Sequence, residues 1–213
     1  MHGRCSLGLW AADWPQFLGP DRNAASPETG LSRQWPAEGP PVLWKVPVGK
    51  GFAGPAVRDG EVFLLDRPDD KQDVLRCFDL EDGREKWSFA YDAPGKFSFN
   101  GSRTTPAVDE KYVFIVGPLG DFHCINRETH QPVWRKHLLE DYDAQKPRWV
   151  VASSPLLYRD WVIVAAQGRK AGVVALDKAT GREIWRSSPV GKMAYSSPAV
   201  TTATTAGPVR PAA

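Results

Sequence analysis

The chain predicts an all-β fold, a β-propeller of about three four-stranded blades plus the start of a fourth, and three observations carry that prediction. The first is a spacing that recurs three times: a Trp lies eight positions after an Asp or Asn, at Asp79 and Trp87, Asn126 and Trp134, and Asp177 and Trp185. The second is a small-Pro-apolar start, at Gly54-Pro55, Thr105-Pro106, Ser154-Pro155 and Ser197-Pro198, with the prolines 51, 49 and 43 residues apart. The third is what lies between: short runs rich in β-branched and aromatic residues, bounded by turn residues, with no helical period. Repeats of this length with four strands each are propeller blades. A β-sandwich of hairpins would not hold the Asp-to-Trp spacing so strictly.

Taken in order, residues 1–12 read as the remnant of a secretory signal, with one Arg, the short apolar run Leu7-Gly8-Leu9-Trp10 and a small-residue end at Ala11-Ala12. Residues 13–41 form a Pro/Gly-rich lead-in. Its prolines, from Pro15 to Pro41, exclude a helix or a central strand. Its aromatics, Trp14, Phe17 and Trp35, indicate an extended arm lying on the main body. Blades then occupy approximately 52–90, 103–137 and 152–187, with a partial one at 195–200 and a low-complexity tail at 201–213. In each blade a tight polar turn follows the Pro start. A second strand comes next (Val62-Phe63-Leu64-Leu65, Tyr112-Val113-Phe114-Ile115-Val116, Trp161-Val162-Ile163-Val164), then a third ending in Asp or Asn, and a fourth carrying the Trp. The third turn has a mechanism: the Asp177 carboxylate can accept from backbone amides across it, and Gly181 can take the positive φ that closes it. Gly83 holds the same place in the first blade, and His130 stands there in the second. Trp44 follows Val42-Leu43 with no such turn before it, as the last strand of a closing blade would.

Composition excludes several classes. With 42% hydrophobic and 24% charged residues the chain is a globular protein rather than a disordered one, and a net charge of +2 with interspersed signs argues against a nucleic-acid surface. No run is long enough to span a membrane. Cys77 and Cys124 hold equivalent places two residues before Asp79 and Asn126 and read as small buried side chains; Cys5 lies in the leader and no CxxC occurs. His2, His123, His130 and His137 lack zinc-binding spacing, so packed or solvated roles are expected and no metal site is assigned. No nucleophile elbow, P-loop or dinucleotide fingerprint is present, and no catalytic residue is assigned. The acid pairs Asp69-Asp70 and Glu140-Asp141 read as solvated loop charge.

The motif Ala-Leu-Asp-Lys-Ala-Thr-Gly-Arg-Glu-Ile-Trp at residues 175–185 resembles the tryptophan-docking repeat of the quinoprotein-dehydrogenase-like propellers, the PQQ-binding-like repeat proteins. The likeness covers roughly residues 42–200. It implies a structural docking role, with the Trp of one blade packed on the turn of its neighbour, for Asp79, Gly83, Trp87, Asn126, Trp134, Asp177, Gly181 and Trp185. The opening Asp13-Trp14-Pro15-Gln16-Phe17-Leu18-Gly19-Pro20 resembles the lead-in of an exported bacterial subgroup, which implies a periplasmic or otherwise exported protein. Rings of this family have six to eight blades, so three imply a truncated member or a fragment whose open blade edges self-associate. Enzymes of the family that use PQQ carry an adjacent-cysteine pair and a calcium-binding carboxylate/Asn set. This chain has no Cys-Cys, so no cofactor is expected.

The loops entering each first strand and joining each second and third strand share one face of such a ring. Phe52, Arg103, Ala152 and Tyr195, each three residues before a blade's Pro, would gather there near the axis. Loops 67–73, 117–121 and 167–172 join them, with Phe97, Phe99, Tyr142 and Trp149 from the long entering segments. Phe52, Arg103, Trp149 and Tyr195 are the candidate ligand face, suited to a small anion or a peptide edge, and Arg103 is its leading cation. The alternative for these loops is simple shielding of the ring. Two functions follow: a non-catalytic exported binding or scaffolding module, comparable to the propeller lipoprotein of outer-membrane protein assembly, or a PQQ- and calcium-dependent alcohol or sugar dehydrogenase or a fragment of one.

Overall fold

The computed structural model describes residues 12–190 and 195–201; the leader, with His2 and Cys5, and the tail beyond residue 201 lie outside them. Three four-stranded antiparallel sheets follow one another in the chain. The first runs β1 (Ala56–Arg58), β2 (Glu61–Asp66), β3 (Gln72–Asp79), β4 (Glu85–Asp92). The second runs β5 (Ala107–Val108), β6 (Tyr112–Val116), β7 (Asp121–Asn126), β8 (Pro132–His137), and the third β9 (Leu156–Tyr158), β10 (Trp161–Ala165), β11 (Val173–Asp177), β12 (Glu183–Arg186). Each sheet is a meander in sequence order, as a propeller blade is, and the ring they begin is not closed.

The middle blade explains why its strands read as continuous apolar runs. Val113, Ile115 and Ile125 pack toward the first blade against Phe63, Leu65, Leu75 and Cys77. Phe114, Val116, Phe122 and Cys124 pack toward the third against Val162, Val164, Val174 and Leu176. Alternate side chains point to opposite faces, and here both faces are buried. Burying each such side chain is worth about 1.5–3 kcal/mol. Cys77 and Cys124 are free and buried, and burial pushes the Cys77 thiol up to about 12 and the Cys124 thiol higher still.

The tryptophans link the blades. The Trp44 indole donates to the Leu80 carbonyl at 2.9 Å, and Trp134 to that of Lys178 at 2.8 Å. A Cβ on Gly83 would lie 2.6 Å from the Trp44 ring, and one on Gly181 2.7 Å from Trp134, so both positions need glycine for space as well as for their positive φ. In the middle blade His130 takes φ 59° and stacks its imidazole on Trp87, 4.6 Å between centroids. Trp185, last in the series, has no turn over it among the described residues and is 38% exposed. The cation after the turn Asp or Asn repeats too: Arg127 pairs with Asp59 and Glu61 of the first blade, and Lys178 with Asp109 of the second.

Three expectations change in detail. The lead-in does not merely lie on the body. Trp14 pairs with Val57 of β1, the Pro15 carbonyl accepts from Val108 of β5, and the Gln16 side chain accepts from Leu157 of β9, so consecutive residues cross the innermost strands of all three blades. Arg22 then donates to the carbonyls of Pro155 and Pro198. Residues 195–201 form no strand, yet Ser197 holds the place of a fourth blade start: the Thr105 amide donates to Ser154 Oγ, and the Ser154 amide to Ser197 Oγ. One helical turn, α1 (Leu138–Asp141), interrupts the otherwise all-β chain, with His137 Nδ1 accepting from the Glu140 amide as its cap.

Candidate functional site

The loops that enter the first strands converge as the topology requires. Phe52, Arg103 and Ala152 line one pocket of about 300 Å³, and the arm supplies its remaining wall through Trp14, Phe17 and Leu18. Tyr195 reaches the same rim: its hydroxyl accepts from the Trp149 amide at 3.0 Å. Trp149 packs against Phe99 with centroids 5.8 Å apart and carries the Arg148 guanidinium over its ring at 5.2 Å. Phe52 and Phe99 are more than half exposed, and Trp149 and Tyr195 over a third, so the rim presents a run of aromatic rings to solvent.

Arg103 does not stand there as a free cation. Its guanidinium lies 4.7 Å from the centre of the Phe52 ring, and Nη2 donates to the carbonyls of Phe99 (2.6 Å) and Ser98 (3.3 Å). It braces the entering segment 93–102 and holds Phe52 face-on, so the role assigned to it as the leading ligand cation shifts toward positioning the aromatic rim. Its Nε is sealed from solvent without a partner, and burial lowers its pKa.

The loop 67–73 also departs from expectation. Its two ends are fully buried. Arg67 Nη1 pairs with Asp73 at 2.9 Å, Nη2 donates to the carbonyls of Ala93 and Gly95 at 2.7 Å each, and Nε donates to Asn100 at 3.0 Å. The guanidinium lies 5.1 Å from the Phe97 ring. This network ties the segment that carries Phe99 to the first blade. Asp69 and Asp70 are exposed, as expected, but each is engaged: Asp69 accepts from the Lys71 and Gln72 amides, and Asp70 from Asn100. Burial raises the Asp73 pKa despite Arg67 beside it, and raises that of Tyr91, whose hydroxyl donates to Asp73.

The remaining assigned residues lie away from this rim, on the turns and inter-blade faces: Asp79, Gly83, Trp87, Asn126, Trp134, Asp177, Gly181 and Trp185. Asp79, Asn126 and Asp177 accept from amides of their own turns. Loop 117–121 adjoins α1 and also meets both entering segments, the Pro118 carbonyl accepting from the Val151 amide at 2.9 Å and Leu119 lying against Gly95, whereas Tyr142 is buried with its hydroxyl on Glu183 at 3.1 Å. Residues missed from the sequence form a second cleft on the flank between the first two blades, where Phe89 and Tyr91 face His123 and Arg135. No local pattern marks it, because its walls come from strands more than thirty residues apart.

Among the described residues no three His, Cys, Asp or Glu side chains lie close enough to hold a metal ion, and Trp14, Pro15 and Gln16 lie along the first strands of the three blades.

Comparison with known proteins places this geometry. No curated protein sequence matches the chain. Among solved structures, the quinohemoprotein alcohol dehydrogenase from Comamonas testosteroni is similar at 20% identity and TM-score 0.55, over 82% of this chain and 27% of that one. A europium-containing methanol dehydrogenase is similar at 17% identity and TM-score 0.50, over 68% and 26%. The computationally designed Ika4 protein matches at 9% identity and TM-score 0.52, over 74% of this chain and 85% of its own. The chain thus spans about a quarter of either dehydrogenase, and at these identities the likeness shows the fold. A family model described as "Outer membrane protein assembly factor BamB" matches residues 71–208. This chain belongs to that family of PQQ-like β-propeller repeat proteins.

Proposed function

We propose that the chain is a non-catalytic, exported binding and scaffolding module whose partner is a protein segment seated on the rim of Phe52, Phe99, Trp149 and Tyr195. The observation that carries this reading is the rim itself: exposed aromatics held in place by Arg103, Arg148 and the Tyr195 hydroxyl. Rigid aromatics clustered at a concave face are what protein-binding hot spots are made of. The family model's description, an outer membrane protein assembly factor, supports the same reading and an envelope location. The titratable groups inside the blades favour it too. Both thiols are buried with raised pKa values, and Arg67 and Asp73 are spent on the loop they anchor. Tryptophan docking between blades supplies the scaffold's rigidity, and the exposure of Trp185, which has no turn over it among the described residues, supports self-association through the third blade.

Two measurements test this. Titration with PQQ and Ca²⁺, followed by absorbance and by dye-linked alcohol oxidation, is expected to show neither saturation nor turnover; turnover would establish the dehydrogenase reading instead. A photo-crosslinking residue at Phe52 is expected to form a discrete protein adduct in cells, lost with Trp149→Ala, whereas one at exposed Glu81 on the turn face forms none. Equal labelling at both positions would remove the rim as the partner site. For the open edge, sedimentation is expected to show concentration-dependent association that Trp185→Glu weakens, and a monomer at all concentrations would contradict it.

A further inference from the structure

The flank cleft between the first two blades has a chemistry of its own. Phe89 and Tyr91 project from β4, one every second residue, onto the face of β7 and β8. His123 and Arg135 lie directly opposite each other across β7 and β8, so both side chains share that face. The His123 ring packs 4.3 Å from Tyr91 and 5.5 Å from Phe89, centroid to centroid, and is 95% buried. Its Nδ1 has no hydrogen-bond partner. Burial, with Arg135 beside it, pulls the His123 pKa down to about 4, so the imidazole is neutral at physiological pH. With Pro132, Val133 and Trp134 these groups line an open cleft of about 350 Å³, the size of a site for a single-ring ligand.

Charge decides what such a ligand must be. Arg135 is the only charged residue lining the cleft, and it forms no salt bridge among the described residues. His123 and Arg135 also line an adjoining cleft with Asp121, Glu140 and Asp141, where Lys136 and His137 offset the added carboxylates. The Tyr91 hydroxyl is committed to Asp73, which leaves its ring as an apolar wall. The cleft therefore offers aromatic surface within and one guanidinium at the mouth, the group best matched to a planar carboxylate. We propose that this cleft binds a small free aromatic carboxylate, its ring against Phe89, Tyr91 and His123 and its carboxylate on Arg135. The site is separate from the rim and independent of any partner bound there.

Benzoate titrated into the full chain, followed by calorimetry and by the His123 ring proton resonances, tests this. Saturable binding that shifts His123 is expected, with benzyl alcohol and acetate each at least tenfold weaker. Arg135→Gln should weaken benzoate at least tenfold. Val133→Glu, at a position already 42% exposed and so tolerant of charge, should do the same by placing a carboxylate at the mouth. The proposal is overturned if benzoate does not saturate, if it saturates without moving His123, if benzyl alcohol binds equally well, or if both variants bind as the native chain does.

Discussion

Arg67→Ala is expected to lower stability by about 3–5 kcal/mol, because removing one member of a buried ion pair leaves the other uncompensated. Both side chains of the Arg67–Asp73 pair have no exposed surface. The loss reaches further than the pair, since the carbonyls of Ala93 and Gly95 and the Asn100 side chain lose their donor together. For this reason the double substitution Arg67→Met with Asp73→Leu should recover only part of the loss, although apolar replacement of a buried pair is often neutral elsewhere. Chemical denaturation of the native protein and the two variants measures this. Full recovery in the double variant would mean that the carbonyl contacts contribute nothing.

The pH dependence has a definite sign. Burial holds the folded-state pKa of Asp73 above its ordinary value, with Arg67 opposing. A group shifted upward contributes its stability below the unfolded pKa and loses it as pH rises through the folded pKa. Without Arg67 the upward shift grows, so the gap between native and Arg67→Ala proteins should widen from the ordinary carboxylate range upward and narrow at acid pH. Asp59, held low mainly by the Arg127 hydrogen bond, weakens both proteins alike on acidification, so the difference between them is the quantity to follow. A gap constant with pH would show that Asp73 does not feel the loss of its cation.

Much of the fold was legible because the repeat writes it in local chemistry. Pro starts, turn Asp or Asn residues and the Trp spacing each act within a few positions, and periodicity multiplies a weak signal. Continuous runs such as Tyr112-Val113-Phe114-Ile115-Val116 were read correctly as strands, and their lack of alternation reflects burial on both faces. The convergence of Phe52, Arg103, Ala152 and Tyr195 was legible for the same reason, since equivalent positions in successive blades share one face. What each then does was not. Arg103 and Arg67 find carbonyls on segments 93–102 whose path no repeat constrains, so one looked like a free cation and the other like loop charge. The arm's course across the inner strands depends on backbone groups of Trp14 and Pro15 and on the Gln16 side chain, which carry no pattern. The flank cleft was hidden by the register between β7 and β8, where a shift at Cys124 and Ile125 sets His123 against Arg135.

Gly181→Val should cost about 2–5 kcal/mol, the sum of two effects. A β-branched residue at φ 68° is strained by at least about 1–2 kcal/mol. Its Cβ would also stand 2.7 Å from the Trp134 ring, which cannot yield cheaply: its indole is bonded to the Lys178 carbonyl, and Phe122 meets it edge-on at 5.1 Å. Overpacking of that kind adds about 1–3 kcal/mol. The middle blade supplies the internal comparison. His130→Gly relieves the same backbone strain but removes the stack on Trp87, worth about 0.5–1.5 kcal/mol, so the two nearly cancel. The tryptophans themselves should follow their cover. Trp134→Ala is expected to cost about 3 kcal/mol, the low end for truncating a packed aromatic, because the ring is partly buried. Trp185→Ala should cost far less, because that ring is already 38% exposed, with no turn above it among the described residues. Denaturation midpoints of the four variants order these effects directly. If Trp185→Ala proved as costly as Trp134→Ala in dilute solution, where association is absent, Trp185 would be covered within the monomer, and the proposed self-association through the third blade would have no surface to use.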